Sequence, residues 1–162
     1  MGTVISSKQP VGICGIGRIG KLLVWLLSAK KAQSEIVIAT GRKTGKSIED
    51  LATYFAYDST YGAYSRFIAG FDHDRAVEIK NDSLYLNGVK LVWLNDPKHR
   101  TPGGIPWSEH GVEVVFDTTG KMLDPTVNDA NSLRGHLNHA KKVVLTAPFK
   151  VKNKGVSMPD DT

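Results

Sequence analysis

Val11-Gly12-Ile13-Cys14-Gly15-Ile16-Gly17-Arg18-Ile19-Gly20 is an apolar run that passes into the pattern G-x-G-x-x-G. Beyond it, Ile19, Leu22, Leu23, Leu26 and Leu27 recur at helical spacing as far as Ser28. The glycines therefore join a strand, Val11 to Ile16, to a helix, Ile19 to Ser28. That is the context in which this pattern binds a dinucleotide. Gly15, Gly17 and Gly20 permit a tight turn and close approach of a pyrophosphate, and the helix N-terminus presents free N–H groups to the anion. A tight turn with no ligand is the competing reading.

Further along the chain, Ile36-Val37-Ile38-Ala39 reads as a strand buried on both faces. Ser47 before Ile48, with Asp50 three residues on, starts a helix that runs to about Tyr57. From Tyr64 to Leu94 the pattern becomes strand-like. Ala76 to Ile79 and Leu84 to Leu86 flank Asn81-Asp82, and Asn87-Gly88 signals a hairpin into Val89 to Leu94. A Pro/Gly-rich loop from Pro97 to Pro106 precedes a buried strand, Val112 to Phe116. A helix is expected over Pro125 to His139, and a last strand over Val143 to Leu145. Alternating strands and helices give an α/β fold: a Rossmann-like, doubly wound, mostly parallel sheet with an antiparallel β insertion, in a single domain. Four runs (Val11–Ile13, Ile36–Ala39, Val112–Phe116, Val143–Leu145) should be neighbouring parallel strands covered on both faces. Trp25 and Trp93 should be largely buried.

Length and composition agree. A chain of 162 residues suits one domain, and 41% hydrophobic with 23% charged residues allows a packed core. Twenty-one Lys and Arg against 16 Asp and Glu leave +5, which favours anionic partners. The longest apolar run, Leu22 to Leu27, is too short to span a membrane. One cysteine, Cys14, excludes an internal disulfide and suits the cytoplasm.

After the second strand come Thr40-Gly41-Arg42-Lys43. NAD-binding domains usually place an acid there, on the ribose hydroxyls; a basic pair suits the extra phosphate of NADP. Gly41, Arg42 and Lys43 are thus candidate cofactor-binding residues, and NADP is favoured over NAD. Gly41 to Ser47 also resembles a P-loop, but only three residues lie between its glycines where four are required. Basic residues near the end (Lys141, Lys142, Lys150, Lys152, Lys154) keep nucleic-acid binding as a second alternative. His136 and His139 are spaced i,i+3, but no third ligand is evident, so no metal site is assigned.

Further stretches carry a resemblance: Tyr57-Asp58-Ser59-Thr60-Tyr61-Gly62, Leu86-Asn87-Gly88, Ile105-Pro106-Trp107, Asp117-Thr118-Thr119-Gly120 and Lys142-Val143-Val144-Leu145-Thr146-Ala147-Pro148. With Val11 to Lys21 and in this order, they resemble phosphorylating glyceraldehyde-3-phosphate dehydrogenase, an oxidoreductase of glycolysis. The resemblance implies an NAD(P)-binding Rossmann domain over 10–150, after a tail of 1–9 and before a segment, 151–162, leading towards a catalytic domain. It implies that Arg18 and Ile19 lie at the pyrophosphate, that Thr118, Thr119 and Gly120 run along the cofactor, and that Thr146 approaches the nicotinamide side. Asn95 falls where an Arg commonly lines the adenine side. Cys14 stands for the family's Asn, Ile16 for a Phe, Gly41 for the ribose-binding Asp, Asp117 for a Glu and Met122 for a Phe.

The family's nucleophilic Cys and its His base would fall beyond Thr162. No catalytic residue is therefore assigned, and the chain by itself is expected to be inactive. Cys14 should be a small packed residue beneath the cofactor. The implied partners are the dinucleotide and the catalytic domain or full-length subunits of a homotetramer. Neither a membrane nor nucleic acid is expected as a partner.

Overall fold

The computed structural model describes residues 9–40, 44–70, 75–151, 155 and 157–159. Two strands begin the chain's sheet, β1 (Val11–Cys14) and β2 (Glu35–Ala39), joined by helix α1 (Arg18–Lys30). Helix α2 (Ile48–Ala56), a small hairpin of β3 (Tyr57–Asp58) and β4 (Gly62–Ala63), and helix α3 (Tyr64–Ala69) follow. Then come β5 (Val77–Lys80), β6 (Ser83–Leu86), β7 (Val89–Leu94), β8 (Val114–Asp117) and β9 (Lys142–Leu145). The main sheet has seven strands in the order β5-β6-β7-β2-β1-β8-β9. β7, β2, β1, β8 and β9 are parallel; β5 and β6 extend the sheet as an antiparallel meander. The four expected parallel neighbours thus stand side by side as β2, β1, β8 and β9.

Successive side chains of a strand face opposite ways. Val11, Ile13, Ile36 and Ile38 pack on one face, against Val24 and Trp25 of α1, Leu51 and Phe55 of α2 and Tyr64 of α3. Cys14, Val37, Ala39 and Val115 pack on the other, against Ile105, Trp107 and Val112. Both faces of β1 and β2 are therefore apolar, which explains their lack of polar alternation. Among the described residues the second face is covered by 3-10 turns, at Pro97–Arg100, Pro102–Gly104, Trp107–His110 and Leu133–Asn138, and not by α-helices.

Several expectations need correction. Tyr64 begins a helix, not a strand: the Tyr64 hydroxyl bonds Ser28 Oγ at 2.7 Å and its ring packs on Trp25, so a tertiary contact sets the local structure. The expected helix over Pro125 to His139 is only the 3-10 turn Leu133–Asn138. Asp124 accepts from Thr126 N–H and Asp129 from Asn131 N–H, at 3.0 and 2.7 Å, and such local turns compete with helix. Trp25 is fully buried, but Trp93 is only half-buried, its indole N–H donating to Thr40 Oγ1 at 3.2 Å. β9 is not covered on both faces: Lys142 and Val144 are exposed. Residues 1–8 of the expected N-terminal tail, and most of 152–162, lie outside the described residues. Among the described residues no helix is long and apolar enough to cross a membrane.

Candidate functional site

A cleft of about 960 Å³ opens at the carboxyl ends of β1, β2 and β8. In open parallel sheets this is where ligands bind, at the strand where the chain's winding reverses. Here that strand is β1, with β2 on one side and β8 on the other. Gly15, Ile16 and Gly17 form the cleft's floor, Thr118 and Thr119 one wall, and Thr40, Thr44, Gly45 and Lys46 another.

The glycine turn is built by close approach. Gly15 adopts φ +86°, and a Cβ there would lie 2.9 Å from Thr119 Cγ2. A Cβ on Gly20 would lie 2.2 Å from Gly15 O and 2.6 Å from Thr118 Oγ1, so α1 can sit this close to the turn only with glycine there. At Gly17 a Cβ meets open space. Helix α1 has no side-chain cap and no acidic residue in its first turn. A helix start of this kind leaves N–H donors and positive dipole for an anion. α2 is the opposite case: Ser47 and Asp50 form a capping box.

The turn is braced from behind. Lys21, buried in α1, donates to Tyr57 O at 2.9 Å and pairs with Asp58 at 3.2 Å, its ammonium lying 4.0 Å from the centre of the Tyr54 ring. The Tyr54 hydroxyl donates to Ile16 O. The Asp58 carboxyl lies below its ordinary range, first through the Thr60 N–H and then through Lys21, although burial opposes this. The Tyr57–Gly62 motif therefore props the glycine turn.

The β8 wall rests on buried polar groups. Thr118 Oγ1 donates to Gly15 O at 2.5 Å. Asp117 Oδ1 accepts from Thr119 N–H at 2.8 Å and from its hydroxyl at 2.6 Å. Asp117 Oδ2 lies 3.3 Å from His136 Nε2, and the Trp107 indole N–H donates to His136 Nδ1 at 3.1 Å. Burial pushes the Asp117 carboxyl up, but the hydrogen bonds from His136 and Thr119 outweigh it, and the net direction is down. Cys14 is buried beside them, its thiol pushed up by burial and by the Asp117 charge. It is a packed thiol and not a nucleophile.

Cys14, Asp117 and His136 bring ligand-type atoms within 4.8 Å of one another. The arrangement does not fit a metal ion. A ligating histidine donates its second ring N–H to an acceptor, whereas the second nitrogen of His136 faces the Trp107 N–H donor.

Of the sequence candidates, Gly15, Gly17, Thr118 and Thr119 line the cleft. Gly20 lies behind the turn, and Arg18 and Ile19 are exposed on the first turn of α1. Gly120 takes φ +64° between the lining residues Thr119 and Lys121. Asn95 follows β7 and is exposed. Thr146 follows β9, its N–H donating to Asp117 O at 3.1 Å, and does not line the cleft. Gly41, Arg42 and Lys43 lie outside the described residues.

Sequence reasoning missed Thr40, Asp50, Thr53, Tyr54 and Lys121 as lining residues. The Ser47–Asp50 spacing marked a helix start, but not that this start borders the cleft. Asp50 Oδ2 accepts from the N–H groups of Lys46 and Ser47, at 2.7 and 3.2 Å. Those are N–H groups that a P-loop would need for a phosphate, so the P-loop alternative loses these two donors.

Comparison with known proteins adds a family match. The profile described as "Glyceraldehyde 3-phosphate dehydrogenase, NAD binding domain" matches residues 9–125. Glyceraldehyde-3-phosphate dehydrogenase 2 of Bacillus subtilis is 33% identical over 144 residues, which is 88% of this chain and 36% of that protein. Glyceraldehyde-3-phosphate dehydrogenase A of Escherichia coli is 36% identical over 147 residues, with 86% of this chain and 36% of that protein covered. A cytosolic form from Gracilaria gracilis is 34% identical over 140 residues, again 86% of this chain and 36% of that protein. The chain spans about a third of the length of these relatives.

Proposed function

The chain belongs to the glyceraldehyde-3-phosphate dehydrogenase family through its NAD-binding domain, and on that premise we propose that its cleft holds a nicotinamide dinucleotide. The observation that carries the reading is the uncapped start of α1, set behind glycines that leave no room for a Cβ at Gly20 and open space at Gly17. A pyrophosphate there takes N–H groups that no side chain caps among the described residues. Arg18 and Ile19 flank it, Thr118, Thr119 and Gly120 follow the cofactor, Thr146 stands towards the nicotinamide and Asn95 towards the adenine. The dinucleotide, when bound, supplies the hydride acceptor. Residues 10–150 are the binding domain in this reading, and the chain works in the cytoplasm beside a catalytic domain or full-length subunits. Alone it binds cofactor without turnover, because its one thiol, Cys14, is buried under the glycine turn. Nucleic-acid binding has no comparable support.

We also propose a preference for NADP over NAD. Gly41 takes the place of a ribose carboxylate, and Arg42 and Lys43 follow it. Arg42 can bind a 2′-phosphate through two N–H bonds, and Lys43 adds a point charge. Asp50 does border the cleft, but one oxygen of its carboxylate is held by the N–H groups of Lys46 and Ser47. A partly exposed charge-assisted bond is worth roughly 1.5 kcal/mol, or about tenfold in affinity. Calorimetric titration of wild type and of Arg42→Ala/Lys43→Ala with both cofactors checks this. The expected result is a preference of about tenfold that shrinks in high salt and vanishes in the double variant. Equal affinities in wild type would refute it.

A further inference from the structure

The described residues hold one polar chain that runs from the second core to the cleft wall. It starts at Trp107, fully buried, and passes through His136, also fully buried, to Asp117 and Thr119. Beside it, Val115 and its neighbours pack β8 against β1 through apolar contacts. Burying an imidazole and a carboxylate costs free energy unless each polar atom is paired, and here each is.

Geometry dictates where the protons lie. The Trp107 indole can only donate, so His136 Nδ1, 3.1 Å away, is an acceptor and carries no proton. The ring proton is then on Nε2 and points at Asp117 Oδ2. With Oδ2 occupied, the carboxylate cannot rotate, and Oδ1 is left to take both the N–H and the hydroxyl of Thr119. Thr119 Oγ1 in turn accepts the Lys121 N–H at 3.2 Å. The cleft wall from Thr119 to Lys121 is thereby fixed against Gly15, whose turn Thr119 touches.

We propose that His136 is a positioning residue for the cofactor cleft: it orients Asp117 so that the Thr119–Lys121 wall is preset for the dinucleotide. This rests on the dinucleotide reading above. His136 does not line the cleft, so its effect on the wall passes through Asp117.

The test uses the ¹⁵N-labelled chain without cofactor, followed by titration with NAD and NADP. In wild type, long-range ¹⁵N correlation should show His136 protonated on Nε2 and not on Nδ1; the reverse tautomer overturns the proposal. His136→Phe keeps an aromatic ring, a somewhat larger one, but removes the donor, whereas the His136→Gln amide can still reach Asp117. The Phe variant should shift the Thr119 and Lys121 amide resonances in the free protein and weaken cofactor binding roughly tenfold, the loss expected for one bond to a charged group. The Gln variant should restore both readouts, although both variants lose thermal stability. Affinity unchanged in the Phe variant, or lost equally in both variants in step with melting temperature, would reduce His136 to a packing residue. If wild type binds neither cofactor, the dinucleotide reading fails. The free-protein amide shifts and the tautomer then still decide whether His136 sets the wall.

Discussion

Gly20→Val is expected to abolish dinucleotide binding and to destabilise the fold by about 3 kcal/mol. In a protein of this size that corresponds to a fall in melting temperature of roughly 6–12 °C. The cause is local: the new Cβ would stand 2.2 Å from Gly15 O and 2.6 Å from Thr118 Oγ1. A backbone carbonyl cannot yield as a flexible side chain can, so α1 must move off the turn and carry its N–H groups with it. Gly17→Ala separates fold from function. Its Cβ meets nothing within 4 Å among the described residues and projects into open space beside the cleft. It should melt within about 1 °C of wild type, as an unconstrained surface substitution does, yet bind cofactor at least tenfold more weakly by obstructing the pyrophosphate. Thermal melts and calorimetry on both variants check this. Full binding by Gly20→Val would mean that the glycine turn does not set the cleft.

Trp25→Ala should cost about 3–5 kcal/mol, the usual range for deleting a large buried aromatic ring, and lower the melting temperature by roughly 6–20 °C. Trp25 is fully buried, its ring centre 5.3 Å from that of Tyr64 and 5.4 Å from that of Phe67 of α3, in tilted contacts. Its indole N–H donates to Phe55 O at 2.9 Å, tying α1 to the end of α2. Three helices therefore lose a shared contact. The cleft is on the far end of α1, so cofactor affinity measured well below the melting temperature should stay within about threefold of wild type. Denaturant unfolding of Trp25→Ala against Trp25→Phe apportions the loss. A change under about 1 kcal/mol in the Ala variant would show that this core does not depend on Trp25.

What the sequence disclosed and what it hid follow from the range of the interactions. The glycine turn is local: it needs only neighbouring residues and reads directly from Gly15 to Gly20. So does the β6–β7 hairpin, where Asn87 and Gly88 both take positive φ, at 50° and 83°. The central parallel strands were legible because burial on both faces removes polar alternation. α3 was not, because what holds Tyr64 in a helix is Ser28, thirty-six residues away in sequence. The buried pairing of His136 with Asp117 is hidden for the same reason: His136 looks like a polar helix position until the 3-10 turn places it against β8. Asp50 reads as a helix cap, which it is; only the tertiary fold reveals that the capped end borders the cleft.

The most direct test of the central claim is amide mapping of the ¹⁵N-labelled chain during titration with NADP and with NAD. Saturable shifts are expected at Gly15, Gly17, Arg18, Ile19, Thr118 and Thr119, with the amides of β5 and β6 unmoved and no reduction of the nicotinamide when glyceraldehyde 3-phosphate and phosphate are added. Shifts that never saturate, or that fall on the basic surface around Lys141 and Lys142 while the glycine turn stays still, would contradict that claim.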